Sequence, residues 1–120
     1  MQEVTIVRSV KEATLVTTPW GSLTWYASGA LGNAGGLTVG KCTIKPGMEN
    51  PLHRHPDCAE VLTVLQGTIM HTSATGEVRM EVGDTITVSA GFTHQARNIG
   101  ATDAILFVTF PTPDRKVENE

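Results

Sequence analysis

The chain has 120 residues, of which 40% are apolar and 18% charged, and its net charge is -3. That is one domain's worth of chain, long enough to bury a core and too apolar to be disordered over most of its length. No basic cluster exceeds Arg115-Lys116 and no apolar run approaches the ~20 residues of a membrane span, so neither nucleic acid nor a bilayer is an expected partner.

The N-terminal stretch MQEVTIVRSVKEATLV alternates apolar and polar residues and carries acids. It lacks the continuous apolar core of a signal peptide, and the chain reads as cytoplasmic. The longest helix candidate, SVKEATLVTT at 9–18, is weak because it is rich in β-branched residues. Trp20, Trp25 and Tyr26 follow in PWGSLTWYASGALG, whose Gly-rich end reads as a loop. From there the chain breaks into short β-type runs at 37–44, 59–66, 68–73, 77–82, 84–89, 94–99 and 104–110. Turn signals separate them: Lys45-Pro46-Gly47, Gly67, Ala74-Thr75-Gly76, Gly83, Ala90-Gly91 and Gly100. Short strands at this spacing predict an all-β sandwich or barrel in one domain, with its core at about 37–110. AEVLTVLQ and AILFVTF are apolar at both parities, as strands covered on both faces are. Cover on the outer face predicts a homodimer. The tail, PTPDRKVENE at 111–120, is polar with two prolines and reads as frayed. Cys42 and Cys58 are the only cysteines and read as buried thiols in a reducing compartment, with no disulfide required.

The stretch GMENPLHRHPDCAEVLTVLQG, residues 47–67, carries the chemistry. His53 and His55 are i and i+2, which on an extended segment puts both imidazoles on one face. A helix would splay them by about 200 degrees at 3.6 residues per turn, and Pro51 and Pro56 oppose a helix in any case. Glu60 opens the next run and is placed to fold back towards the rings. His94 starts another. Three imidazoles and one carboxylate suit Fe, Mn, Ni, Co or Zn, one divalent ion per chain, with positions left for water or substrate.

Residues 47–67 resemble the first motif of the cupin family, G-x5-H-x-H-x(3,4)-E-x6-G, at every fixed position: Gly47, His53, His55, Glu60 and Gly67. Residues 83–98 resemble the second, G-x5-P-x-G-x2-H-x3-N, through Gly83, Gly91, His94 and Asn98, with Ser89 where the family has proline. The resemblance implies a small antiparallel jelly-roll barrel, a double-stranded β-helix, with His53, His55, Glu60 and His94 as metal ligands inside it. Asn98 is expected to brace a neighbouring loop. His71, outside both motifs, is a weaker candidate for the pocket or for a fifth ligand. Cys58, two residues from Glu60, reads as a core or loop thiol. Arg54 and Arg97 have the parity of outward side chains. No inward Arg or Lys is evident to grip a substrate carboxylate, and Trp25, Met48, Met70 and Phe107 are the expected pocket lining.

The resemblance implies a metal-binding protein acting on a small molecule, with an Fe(II) oxygenase as the leading form. Glu60 would remain a ligand or act as a base. A non-redox isomerase or lyase, a ligand-binding module without turnover, and a structural barrel with an idle site are the alternatives.

Overall fold

The computed structural model describes residues 6–119; Met1 to Thr5, the start of the stretch read above as lacking a signal-peptide core, and Glu120 lie outside the described residues. After one turn of 3-10 helix at Val10–Glu12 the described residues are all strand and loop. One sheet is built from β1 (Thr14–Thr18), β2 (Gly21–Ala27), β3 (Thr38–Ile44), β5 (Glu60–Gln66), β8 (Thr85–Val88) and β10 (Ala104–Phe110), in the order β1-β2-β3-β10-β5-β8. The second contains β4 (His53–Arg54), β6 (Ile69–Ser73), β7 (Gly76–Met80), β9 (His94–Asn98) and β11 (Glu118–Asn119), in the order β11-β4-β9-β6-β7. Every pairing is antiparallel, and the neighbours are mostly distant in sequence, as in a jelly roll.

The two sheets close on a core that follows from strand periodicity. In β10, Ala104, Leu106, Val108 and Phe110 are buried while Ile105, Phe107 and Thr109 alternate outward. β3 alternates the same way, with Cys42 and Ile44 inside, and β5 contributes Glu60, Leu62 and Val64. Ile44, Val64, Ile69 and Leu106 are completely sealed. Gly40 occupies an inward position of β3 opposite Trp25 because the indole lies where a side chain would be. A Cβ at residue 40 would come within 2.4 Å of Trp25 Cε3 and 2.6 Å of the Thr24 carbonyl. That close approach seats Trp25 against the barrel interior.

Several expectations change. The barrel begins well before residue 37, because 14–27 forms a two-strand hairpin turning at Pro19-Trp20. The weak helix candidate is a short turn followed by strand, in keeping with its threonines and valines. The tail is not frayed: it folds back over the barrel. Pro113 carbonyl accepts from Gly29 N–H at 2.8 Å, Thr112 carbonyl accepts from Thr38 Oγ1 at 2.8 Å, and β11 pairs with β4. Its hold is made of backbone carbonyls and the Arg54–Glu118 ion pair, which leave no apolar period to read. Phe107 faces outward between Lys41 and Thr63, Met70 faces outward beside Arg79 and Arg97, and Met48 sits exposed in a turn. None of the three lines the interior.

Asn98 ties the end of β9 to the end of β3. Its buried Nδ2 donates to the carbonyls of Ile44 and Thr102, both at 2.8 Å, and its Oδ1 accepts from Gly100 N–H at 2.9 Å. Asn98→Ala strands these backbone groups and is expected to cost about 2–3 kcal/mol in urea unfolding. A loss below about 0.5 kcal/mol would show that water replaces the amide at no cost.

Candidate metal centre

The pairing of β4 with β9 brings His53 opposite His94, and the rings lie 4.4 Å apart, centre to centre. His55 follows on the same face as His53, and Arg54 between them turns out to meet Glu118 at 2.7 Å across the β4–β11 pair. Gly91, at a φ of 82°, donates its N–H to the His55 carbonyl at 2.8 Å, which fixes the loop entering β9 beside the first histidine pair. Glu60, the first residue of β5, points inward. Its Oε1 is 3.1 Å from His55 Nε2 and 3.2 Å from His94 Nε2. One donor atom from each of His53, His55, Glu60 and His94 lies within 4.8 Å of the others. His55, Glu60 and His94 are buried and His53 is half-buried.

The protons decide what this cluster is. His53 Nδ1 donates to the Pro51 carbonyl and His55 Nδ1 to the Lys116 carbonyl, both at 2.7 Å. Carbonyl oxygens only accept, so each neutral ring carries its proton on Nδ1 and presents a bare Nε2 lone pair. His94 Nδ1 lies 3.0 Å from His71 Nε2. Burial pushes the His53 ring down to about 4, against the opposing hydrogen bond to Pro51, so it is neutral at ordinary pH. Burial would raise the Glu60 carboxyl, but His55 and His94 outweigh it and hold it at about 2. That lowering works through hydrogen bonds and charge that the two rings direct at the carboxylate, so it belongs to the metal-free cluster, and an ion between the rings and the carboxylate would take over the same role. His55 Nε2, His94 Nε2 and Glu60 Oε1 are sealed from water with no properly aligned hydrogen bond. Converging acceptors of this kind repel one another unless a cation lies between them. The spacing fits one. Two ligands each about 2.1 Å from an ion and at right angles stand about 3.0 Å apart. The residues fit a divalent ion in both donor chemistry and separation.

His71 is fully buried, on the diagonal from His94 across β6 and β9. It is not one of the four clustered donors but the partner that orients one of them. Its parity, opposite to that of Met70, was readable in sequence; the pocket assignment had favoured the wrong one of the two. Cys58 packs into the apolar core as a free thiol.

The cluster opens onto a cavity of about 240 Å³. Trp25, as expected, lines it, together with Trp20, Cys42, Phe110 and Arg115, which sequence reasoning missed. Phe110 and Cys42 share parity with the buried Leu106 and Ile44, a phase that the register between the strands sets. Arg115 had none: it comes from the tail, and its guanidinium carbon lies 4.3 Å from the Trp25 ring centre and 5.6 Å from that of Phe110. It is the inward cation that strand reasoning had found lacking. The Cys42 thiol is pushed up to about 12 by burial and by Glu60, so it is protonated and not a ready ligand.

Two facing antiparallel sheets with a three-histidine, one-carboxylate cluster in the wall of a mostly apolar cavity define a metal-site barrel by geometry. The family model described as "Cupin domain" matches residues 40–110, more than half the chain, and the protein belongs to that family. It is 34% identical over 86 residues to auxin-binding protein ABP19b of Prunus persica, covering 68% of this chain and 41% of that one. It is 32% identical over 83 residues to germin-like protein 3-8 of Oryza sativa subsp. japonica, covering 65% and 37%. The chain thus spans about two fifths of these relatives. Among solved structures it superposes on oxalate decarboxylases from Bacillus subtilis (TM-score 0.84, 18% identity, 92% of this chain and 30% of that one) and Lactobacillus farciminis (TM-score 0.84, 20% identity, 91% and 34%). At that identity the likeness is one of fold.

Two outcomes check the centre. His71→Phe, which keeps the ring volume and removes the contact with His94, is expected to weaken metal binding about 10–100-fold while all four donors remain. Unchanged affinity in a competition titration would mean that His71 only fills space. In metal-free protein, burial also pushes His71 down to about 4, so His53 and His71 stay neutral in the fold after the unfolded chain has taken up protons at its ordinary value of 6.5. Stability from this source is present above pH 6.5 and is lost as pH falls towards 4. A second loss, from Glu60, follows between 4.5 and 2. Melting temperature followed against pH in chelator should slope accordingly, and a flat profile across the first interval would contradict the buried neutral rings.

Proposed function

We propose that this protein is a metal-dependent enzyme of oxygenase type that acts on a small organic molecule inside the barrel. The observation that carries the reading is the convergence of three imidazole nitrogens and one carboxylate oxygen in the wall of a mostly apolar cavity. His53, His55, Glu60 and His94 would hold the ion. A divalent metal there supplies a Lewis acid and, as iron or manganese, a redox couple. Everything else in the reading concerns the chain's own residues. The carbonyls of Pro51 and Lys116 and the ring of His71 hold the imidazoles in place. Trp20, Trp25 and Phe110 give the cavity an apolar wall, which strengthens charge interactions beside it. The volume, about 240 Å³, is below that of drug-sized pockets and restricts the substrate to a small molecule.

Elemental analysis of protein reloaded with Fe(II) or Mn(II) is expected to find close to one ion per chain, and His55→Ala less than a tenth of that. Full occupancy in His55→Ala would refute the ligand set. With iron bound, oxygen uptake is expected on addition of a turned-over substrate from a screen of phenols, diketones and organic acids. Constant oxygen during confirmed turnover would remove the oxygenase form and leave non-redox chemistry at the same centre.

A further inference from the structure

Arg115 is placed by the segment around it rather than by its own contacts. The tail is pinned before it, by the hydrogen bonds of Thr112 and Pro113 to Thr38 and Gly29, and after it, by the Lys116 carbonyl on His55. Between these anchors the Arg115 side chain turns into the cavity and lays its guanidinium over the Trp25 ring. Stacking uses the face of the group and leaves its N–H edge for a planar acceptor. Among the described residues no carboxylate pairs with it. The nearby acids on β11 and in the loop before β5 are committed elsewhere: Glu118 to Arg54 at 2.7 Å and Asp57 to Lys116 at 3.8 Å. Among the described residues the only acid in the cavity wall is Glu60, which is engaged with the imidazoles.

The charge balance then favours an anion. A divalent ion, less the charge of Glu60 and with the guanidinium added, leaves two positive charges in a small and mostly apolar space. A buried charge without a counter-ion is costly, and a forked cation matches a carboxylate with two parallel hydrogen bonds. We infer that Arg115 is the specificity residue of this cavity, and that it anchors the carboxylate of a small organic acid whose apolar body lies along Trp25 and Phe110. The inference rests on the metal-enzyme reading for what happens to that acid, but the anchoring itself needs only Arg115 and the aromatic wall.

Both cavity tryptophans, the only two in the chain, report on it. Tryptophan fluorescence is titrated with acetate, isobutyrate and benzoate, each against its primary amide, in metal-loaded and metal-free protein, with metal content and melting temperature measured alongside. At least one acid is expected to bind at least ten-fold more tightly than its amide. Arg115→Met, which keeps an apolar stem over Trp25, is expected to lose that preference with metal content and melting temperature unchanged. Arg115→Lys should retain part of it. Equal binding of acid and amide, undiminished acid binding by Arg115→Met, or no saturable binding of any acid at millimolar concentration would overturn the inference. These failures are separable from failure of the metal reading. A protein that takes up no metal on reloading yet prefers acids through Arg115 keeps the anchor and loses the metal reading, whereas full metal occupancy without acid preference does the reverse.

Discussion

Bare lone pairs forced to face one another are the constraint around which this barrel is arranged. His53 and His55 are turned so that the Nδ1 proton of each points outward to a fixed carbonyl and Nε2 points inward, towards the Glu60 cluster. Hydrophobic collapse alone would not produce this, because four polar groups in a core are unfavourable until something positive joins them. The folded chain accepts that cost locally, and the surrounding alternation of Leu62, Val64, Leu106 and Val108 supplies the burial that offsets it. The centre is therefore rigid for the same reason that it is unfavourable when empty of charge: the groups that would relax it are the groups that build the sheets.

The fold places these atoms economically in sequence but not in space. His53 and His55 come from a two-residue strand that would be too short to persist alone. It is held because β9 pairs on one side and β11 on the other, so a histidine from residue 94 and a carbonyl from residue 116 are brought to the same point. Contacts between residues so far apart close slowly during folding, and the centre is accordingly expected among the last parts to become ordered.

The four candidate ligands were legible because two signals coincided: the i, i+2 spacing on an extended segment, and glycines and an asparagine at the motif positions around it. The central strands were legible through turn residues and β-branched runs. Phase was harder. AILFVTF is apolar at every position but one, so nothing in the run itself distinguishes Phe107 from Phe110, and only the register against β3 and β5 sends the first outward and the second into the cavity. Met70 and His71 show the converse. An apolar side chain was expected inside, yet the histidine holds the inner position because it has a ring nitrogen to meet and the methionine does not. The tail was illegible for a further reason. Backbone carbonyls and polar contacts hold it, and the tail residues that line the cavity, Arg115, Val117 and Asn119, form no apolar run.

Arg115 and Lys116 are neighbours with different tasks. The side chain of the first enters the cavity, while the backbone of the second steadies a ligand. A deletion or insertion of a single residue between Phe110 and Arg115 would displace both at once, withdrawing the guanidinium and misaligning the His55 acceptor. The length of that short connection is thus under a tighter restriction than its composition. Loops of this kind in other proteins vary freely in length, but divergence here would have to proceed by substitution, with the residue at 115 free to change what the cavity admits while the spacing that serves the metal stays fixed.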